Sequence, residues 1–155
     1  MGNRRVKIMS LKETLMNDLK QAMKEKDTIR KNTVQMVRSA VLQYEKDNRT
    51  ELDDAGVTDV IAKELKRRRD VLPEYEKSGR DDLIADINRE IEILLAYLPK
   101  QLTREELEEI VTDAIAKTGA ASMKDMGKIM AFVMPKTKGR ADGKMINSIV
   151  KEKLS

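Results

Sequence analysis

Residues 81–99 read DDLIADINREIEILLAYLP. Leu83, Ile84, Ile87, Ile91, Leu94, Leu95 and Leu98 recur at steps of three and four, so they form one apolar stripe of a helix. Pro99 interrupts that pattern, and the composition of the chain changes around it. No convincing alternating strand pattern appears elsewhere. An all-α fold follows, with a domain boundary near residue 99 separating a long-helix N-terminal module, residues 9–98, from a compact three-helix C-terminal module, residues 99–155.

Upstream, Ser78-Gly79 separates this helix from an earlier one that begins near Thr58 and carries Val60, Ile61, Leu65, Leu72 and Tyr75. Pro73 lies within that run and should kink or end it, because it donates no N–H and its ring crowds the Arg69 carbonyl. The polar stretch Asp47–Thr58, with Gly56, reads as a loop. Before it come two helices. Ser10 and Glu13 form a capping box for Leu11, Leu15, Leu19, Ala22 and Met23, and the chain turns near Asp27 into a second helix with Ile29, Met36, Val37, Ala40, Val41 and Tyr44. Downstream, Thr103 and Glu106 make another capping box, and that helix should stop at Gly119. Ser122 caps the next helix, expected to end before Pro135, and Asp142 caps a last helix reaching Leu154. Residues 1–8 precede the pattern and read as a flexible tail.

Composition removes most catalytic chemistry. Of 155 residues 37% are charged, yet His and Cys are absent. Thiolate nucleophiles, Ser-His pairs and disulfides are therefore excluded, and no ordinary metal site is expected. No cofactor is expected either: Gly127-Lys128 and Gly143-Lys144 lack the rest of a phosphate-binding loop. The longest apolar runs, Ile93–Leu98 and Ile129–Met134, are six residues each, against roughly 18 for a membrane span. Residues 1–8 lead into no signal-length apolar run. The chain reads as soluble and cytoplasmic. With only Tyr44, Tyr75, Tyr97 and Phe132 as aromatics, the core must be aliphatic.

Charge points to a binding partner. Residues 1–113 hold 22 Lys+Arg and 24 Asp+Glu, whereas residues 114–155 hold nine and three, a net of +6. Lys124, Lys128, Lys136, Lys138, Arg140 and Lys144 concentrate there against Asp125 and Asp142. This is the pattern of a polyanion binder, although a solvated surface also accommodates it. The loop Pro135–Gly143, with three cations and Gly139 beside a helix N-terminus, could hold phosphates, or it is simply a capped turn. Met123, Met126, Met130 and Met134 fall on one helix face and read as core, with a partner groove as the minority reading. A second basic cluster, Lys63 with Lys66–Arg69, is consecutive and so spreads around its helix as solvated surface.

Three separated blocks carry a family resemblance. MSLKETLMNDLKQAMKEKD at residues 9–27, AKELKRRRDVLPEYEKSGRDDLIADINREIEILLAYLPKQLTREELEEIV at 62–111, and DMGKIMAFVMPKTKGRADGKMINSIVKEKL at 125–154 occur in the order seen in the YqeY-like family. That family is the freestanding relative of the GatB/YqeY domain. The resemblance implies a two-module helical fold and contact with tRNA, as in the tail of the B subunit of the glutamine-dependent aspartyl/glutamyl-tRNA amidotransferase. It places the family motif on Gly127, Met134, Pro135, Lys136, Lys138, Gly139, Arg140, Ala141 and Asn147, with Asp142 as cap. Any carbon–nitrogen ligase label with glutamine as amido donor would be inherited from the larger enzyme, whose catalytic part has no counterpart here. The expected function is that of a non-catalytic tRNA-binding accessory protein in aminoacyl-tRNA metabolism. Its expected contacts are Lys128, Lys136, Lys138, Arg140 and Lys144. The alternative is an interaction module docking on an aminoacyl-tRNA synthetase or an amidotransferase.

Overall fold

A computed structural model describes residues 9–154; the expected tail, residues 1–8, lies outside the described residues. The described chain forms seven α-helices, no strand, and one 3₁₀ turn. It divides into two compact units after Tyr97.

The first unit contains α1 (Leu11–Glu25), α2 (Thr28–Asn48), α3 (Asp54–Ser78) and α4 (Asp81–Leu95). The first three helices each begin on a side-chain cap and end on a left-handed residue. Ser10 Oγ accepts from the Glu13 N–H at 3.2 Å, Asp27 Oδ1 from Arg30 N–H at 3.2 Å, and Asp53 Oδ1 from Gly56 N–H at 2.8 Å. Such a cap is worth about 1 kcal/mol, because it satisfies an amide that the helix itself leaves unpaired. Gly79, at φ +66°, ends α3 in the left-handed region. Lys26 and Arg49 adopt the same geometry at the ends of α1 and α2 without glycine. Gly56 falls inside the first turn of α3, so the expected loop over Asp47–Thr58 shrinks to the connection after Asn48 and before Asp54. The Asp53 cap, rather than the glycine, decides where that helix starts.

Buried positions follow the helical period: Leu15, Leu19 and Ala22 on α1; Val34, Val37 and Val41 on α2; Val57, Ile61 and Leu65 on α3; Ile87, Ile93 and Leu94 on α4. Each side chain taken fully from water contributes about 1.5–3 kcal/mol before chain entropy is subtracted.

Pro73 does not end its helix, since α3 runs through it to Ser78. The proline is exposed, so the Arg69 carbonyl deprived of its N–H partner can take water instead. The second basic cluster, expected as solvated surface, is split between solvent and core. Arg68 is only 7% exposed and Glu64 only 4%, and they pair at 3.1 Å. Arg68 Nε also reaches Glu90 Oε1 of α4 at 3.2 Å, and Nη2 lies 3.5 Å from Met36 Sδ of α2. One arginine thus joins three helices, while neighbouring Arg67 is 75% exposed. In the same unit the Tyr97 hydroxyl donates to Asp18, which also pairs with Arg30 at 3.5 Å.

The second unit contains α5 (Arg104–Thr118), a 3₁₀ turn (Met123–Asp125), α6 (Met126–Thr137) and α7 (Gly143–Leu154). Thr103 and Glu106 form the reciprocal capping box, with Thr103 Oγ1 accepting at 3.1 Å and the Thr103 N–H donating to Glu106 Oε1 at 3.0 Å. Gly119 ends α5 at φ +68°. Leu107, Val111, Ala114, Ile129, Val133, Ile146, Ile149 and Val150 form the core.

Pro135 does not stop α6 either. Ile129, Val133 and Thr137 are buried at i, i+4 and i+8, and Thr137 Oγ1 donates to the Val133 carbonyl at 3.1 Å. Packing on this face carries the helix past the proline, whose lost bond falls on the exposed Ala131 carbonyl side. The expected loop consequently loses Lys136 to the helix. The methionine stripe is broken as well: Met123 lies in the 3₁₀ turn, and Met123 and Met134 are 40% and 49% exposed, while Met126 and Met130 pack against the core.

Candidate nucleic-acid interface

The basic segment between α6 and α7 is a built turn. Lys138 has φ −56° and ψ 121°, Gly139 has φ +72°, and the Arg140 N–H donates to the Thr137 carbonyl at 2.8 Å. These are the features of a type II β-turn, whose third position requires positive φ and therefore favours glycine. Asp142 Oδ1 then accepts from the Lys144 N–H at 3.0 Å and starts α7.

The turn is tied to a segment almost forty residues earlier. The Leu102 N–H donates to the Arg140 carbonyl at 2.8 Å, and Gln101 Nε2 donates to the Gly139 carbonyl at 2.8 Å. Arg140 returns the contact: its Nε donates to the Lys100 carbonyl at 3.3 Å and its Nη1 to the Lys136 carbonyl at 3.4 Å. Arg140 thereby supplies a donor to one of the α6 carbonyls that the helix end leaves unpaired. Arg140 is half-buried as a residue, whereas Lys138 and Lys144 are exposed.

The other expected contacts are distributed differently. Lys136 Nζ sits 4.4 Å from the Phe132 ring centroid and 3.9 Å from Asp113 Oδ2, and Lys117 approaches the same ring at 5.7 Å. A cation over an aromatic face beside a carboxylate is held in place, so Lys136 is directed at the α5–α6 seam. Lys128 is exposed on the first turns of α6, about 12 Å along the axis from Lys136 at 1.5 Å per residue. It faces Asp125, whose carboxyl is held below its usual range by the Ala121 N–H, against the opposing effect of burial, and also by the Ser122 N–H and the Lys128 charge. The turn thus gathers Lys138, Arg140 and Lys144, and leaves Lys136 and Lys128 at other positions on α6.

Among the motif residues, Met134, Pro135 and Asn147 are exposed, Ala141 packs against the core, and a Cβ on Gly127 would meet open space. The sequence reading missed Lys100, which is exposed beside the turn. Its only sequence signal was its place directly after Pro99. Lys100 and Arg140 both act on Glu106, whose carboxyl is lowered first by the Thr103 N–H and hydroxyl and then by these two cations. Among the described residues no group of three or more carboxylates is arranged to hold a metal ion, and no helix is long and apolar enough to cross a membrane.

Fold and site together define an all-α protein whose C-terminal unit presents a clasped, cation-bearing turn between two helices. The chain matches the Yqey-like protein family over residues 12–154 and belongs to it. It is similar to the altered inheritance of mitochondria protein 41 of Kluyveromyces lactis, with 36% identity across 78% of this chain and 70% of that relative. The proteins of the same name from Lachancea thermotolerans and Vanderwaltozyma polyspora are 30% and 27% identical, covering 89% and 90% of this chain and 78% and 79% of those relatives. All three are named as mitochondrial proteins, which overturns the cytoplasmic location expected from the sequence. That expectation came from the absence of a signal-length or membrane-length apolar run, which does not distinguish the cytoplasm from the mitochondrion.

Proposed function

We propose that this Yqey-like protein binds tRNA, as a non-catalytic accessory in aminoacyl-tRNA metabolism, through the turn between α6 and α7. The observation that carries the reading is the clasp itself. Lys138, Arg140 and Lys144 stand on a segment fixed by Gly139, by the Asp142 cap and by the bonds to Gln101 and Leu102. Cations on a fixed frame lose less entropy on meeting phosphates than cations on a mobile loop, and each phosphate neutralised releases counterions. With a single phenylalanine and no tyrosine in the second unit, there is little surface for stacking unpaired bases, so recognition falls on backbone and shape.

Filter binding of total tRNA over a salt series tests this. Wild type should bind saturably in the presence of duplex DNA. The Lys138→Ala/Lys144→Ala variant should lose affinity, and its slope of log Kobs against log salt should fall by about 1.4–1.8, the contribution of two phosphates. Equal binding and equal slope in both proteins would exclude the turn as the site.

The exposed Met123, Met134 and Met145 of the same unit favour a second reading, docking on a synthetase or amidotransferase. Capture of such a partner that survives Lys138→Ala/Lys144→Ala would support it.

A further inference from the structure

We infer that Lys100 belongs to the same polyanion-binding surface, and that Arg140 acts chiefly as the residue that positions it. This rests on the reading of the α6–α7 turn as the tRNA contact. Lys100 and Arg140 are forty residues apart in sequence, yet Arg140 Nε donates to the Lys100 carbonyl at 3.3 Å. Gln101 and Leu102, the next two residues, are bonded to Gly139 and Arg140 at 2.8 Å each. The backbone that carries the Lys100 side chain is thus pinned to the turn by three hydrogen bonds, one of which comes from the arginine side chain.

Chemistry separates the two cations. Arg140 directs Nε and Nη1 at backbone carbonyls, so two donors of its planar fork are committed inside the protein. Lys100 is exposed, and its ammonium and the Arg140 guanidinium both lower the Glu106 carboxyl. The Lys100 backbone is held beside the turn that bears Lys138, just ahead of α5. A phosphate backbone crossing the turn meets Lys100 as a strongly hydrated point charge that exchanges its counterion for phosphate. The same logic accounts for Arg rather than Lys at position 140. A lysine there keeps the charge but cannot donate to two carbonyls from a fixed plane.

The experiment is tRNA filter binding over a salt series with wild type, Lys100→Gln, Arg140→Lys, the double variant and Lys138→Ala/Lys144→Ala. Lys100→Gln, at an exposed position, should lower the salt slope by about 0.7–0.9, one phosphate contact. Arg140→Lys should lower it by a similar amount although the net charge is unchanged, and adding Lys100→Gln to it should lower it little further. Circular dichroism of Lys100→Gln should match wild type. A full slope in Lys100→Gln, together with a reduced slope in Lys138→Ala/Lys144→Ala, would overturn this inference and leave the tRNA site standing. Additive slopes in the double variant would overturn the positioning role of Arg140. Absence of saturable tRNA binding by wild type would overturn both the inference and the site.

Discussion

Removing Arg68 should destabilise the N-terminal unit more than removing any other single cation of its basic cluster. Arg68 is 7% exposed and its partner Glu64 4%, with Nη1 bonded to the Glu64 carboxylate at 3.1 Å and to its carbonyl at 2.9 Å. Arg68→Met fills a similar volume but leaves the Glu64 charge buried. Breaking a buried ion pair costs about 3–5 kcal/mol. The lower end applies here, because Arg67 still reaches Glu64 Oε2 at 3.2 Å and the Glu90 side chain is 24% exposed and can turn to water. At about 2 kcal/mol per molar urea, a loss of about 3 kcal/mol lowers the unfolding midpoint by about 1.5 M. Replacing both partners, Glu64→Leu with Arg68→Met, should restore stability to within about 1 kcal/mol of wild type, since the desolvation penalty disappears with the pair. Tyrosine emission is the assay of choice: Tyr44, Tyr75 and Tyr97 are the tyrosines of the chain and all lie in the first unit, so the signal follows that unit alone. A midpoint shift below about 0.3 M in Arg68→Met, or a double variant no more stable than the single, would refute the account of Arg68 as a buried hub.

Two further outcomes follow from the geometry. Burial first, and then the hydrogen bond to Asp18, raise the Tyr97 hydroxyl above the usual tyrosine value of 10.0. The stability this gives is fully present below that value and is lost as pH rises through the higher folded-state value. An ultraviolet titration should therefore show one tyrosine ionising late, and Asp18→Asn should bring it earlier; an unchanged titration in Asp18→Asn would refute the pairing. Gly127→Ala, on a helix with open space at its Cβ, should stabilise the C-terminal unit by about 0.5–1 kcal/mol, whereas Gly79→Ala, at φ +66°, should destabilise the N-terminal unit by about 1 kcal/mol. Thermal unfolding followed by circular dichroism measures both, and equal shifts would show that backbone conformation does not govern them.

What the sequence by itself determined lies within a few residues of each helix end. The Thr103–Glu106 box, the caps at Ser10 and Asp142, and the glycine stops at Gly79 and Gly119 are local hydrogen-bonding or backbone choices. The apolar stripe from Leu83 to Leu95 belongs to the same class, since i, i+3 and i+4 positions share a face whatever the rest of the chain does, although α4 ends at Leu95 and leaves Leu98, expected on the stripe, beyond it. Tertiary structure decided the rest. Pro73 and Pro135, expected to kink or stop their helices, sit inside them, and at α6 the buried Ile129, Val133 and Thr137 hold the last turn in place. Among Arg67, Arg68 and Arg69, one rotation about the α3 axis sends Arg68 inward, where Glu64, Glu90 and Met36 make it a hub. The fate of each cation at the candidate interface was equally illegible along the chain. Lys136 is turned to Phe132 and Asp113, and Lys100 is brought to Arg140 across forty residues. Helix hydrogen bonds close over four residues and can be read in a line, whereas burial and charge pairing depend on which faces meet in space.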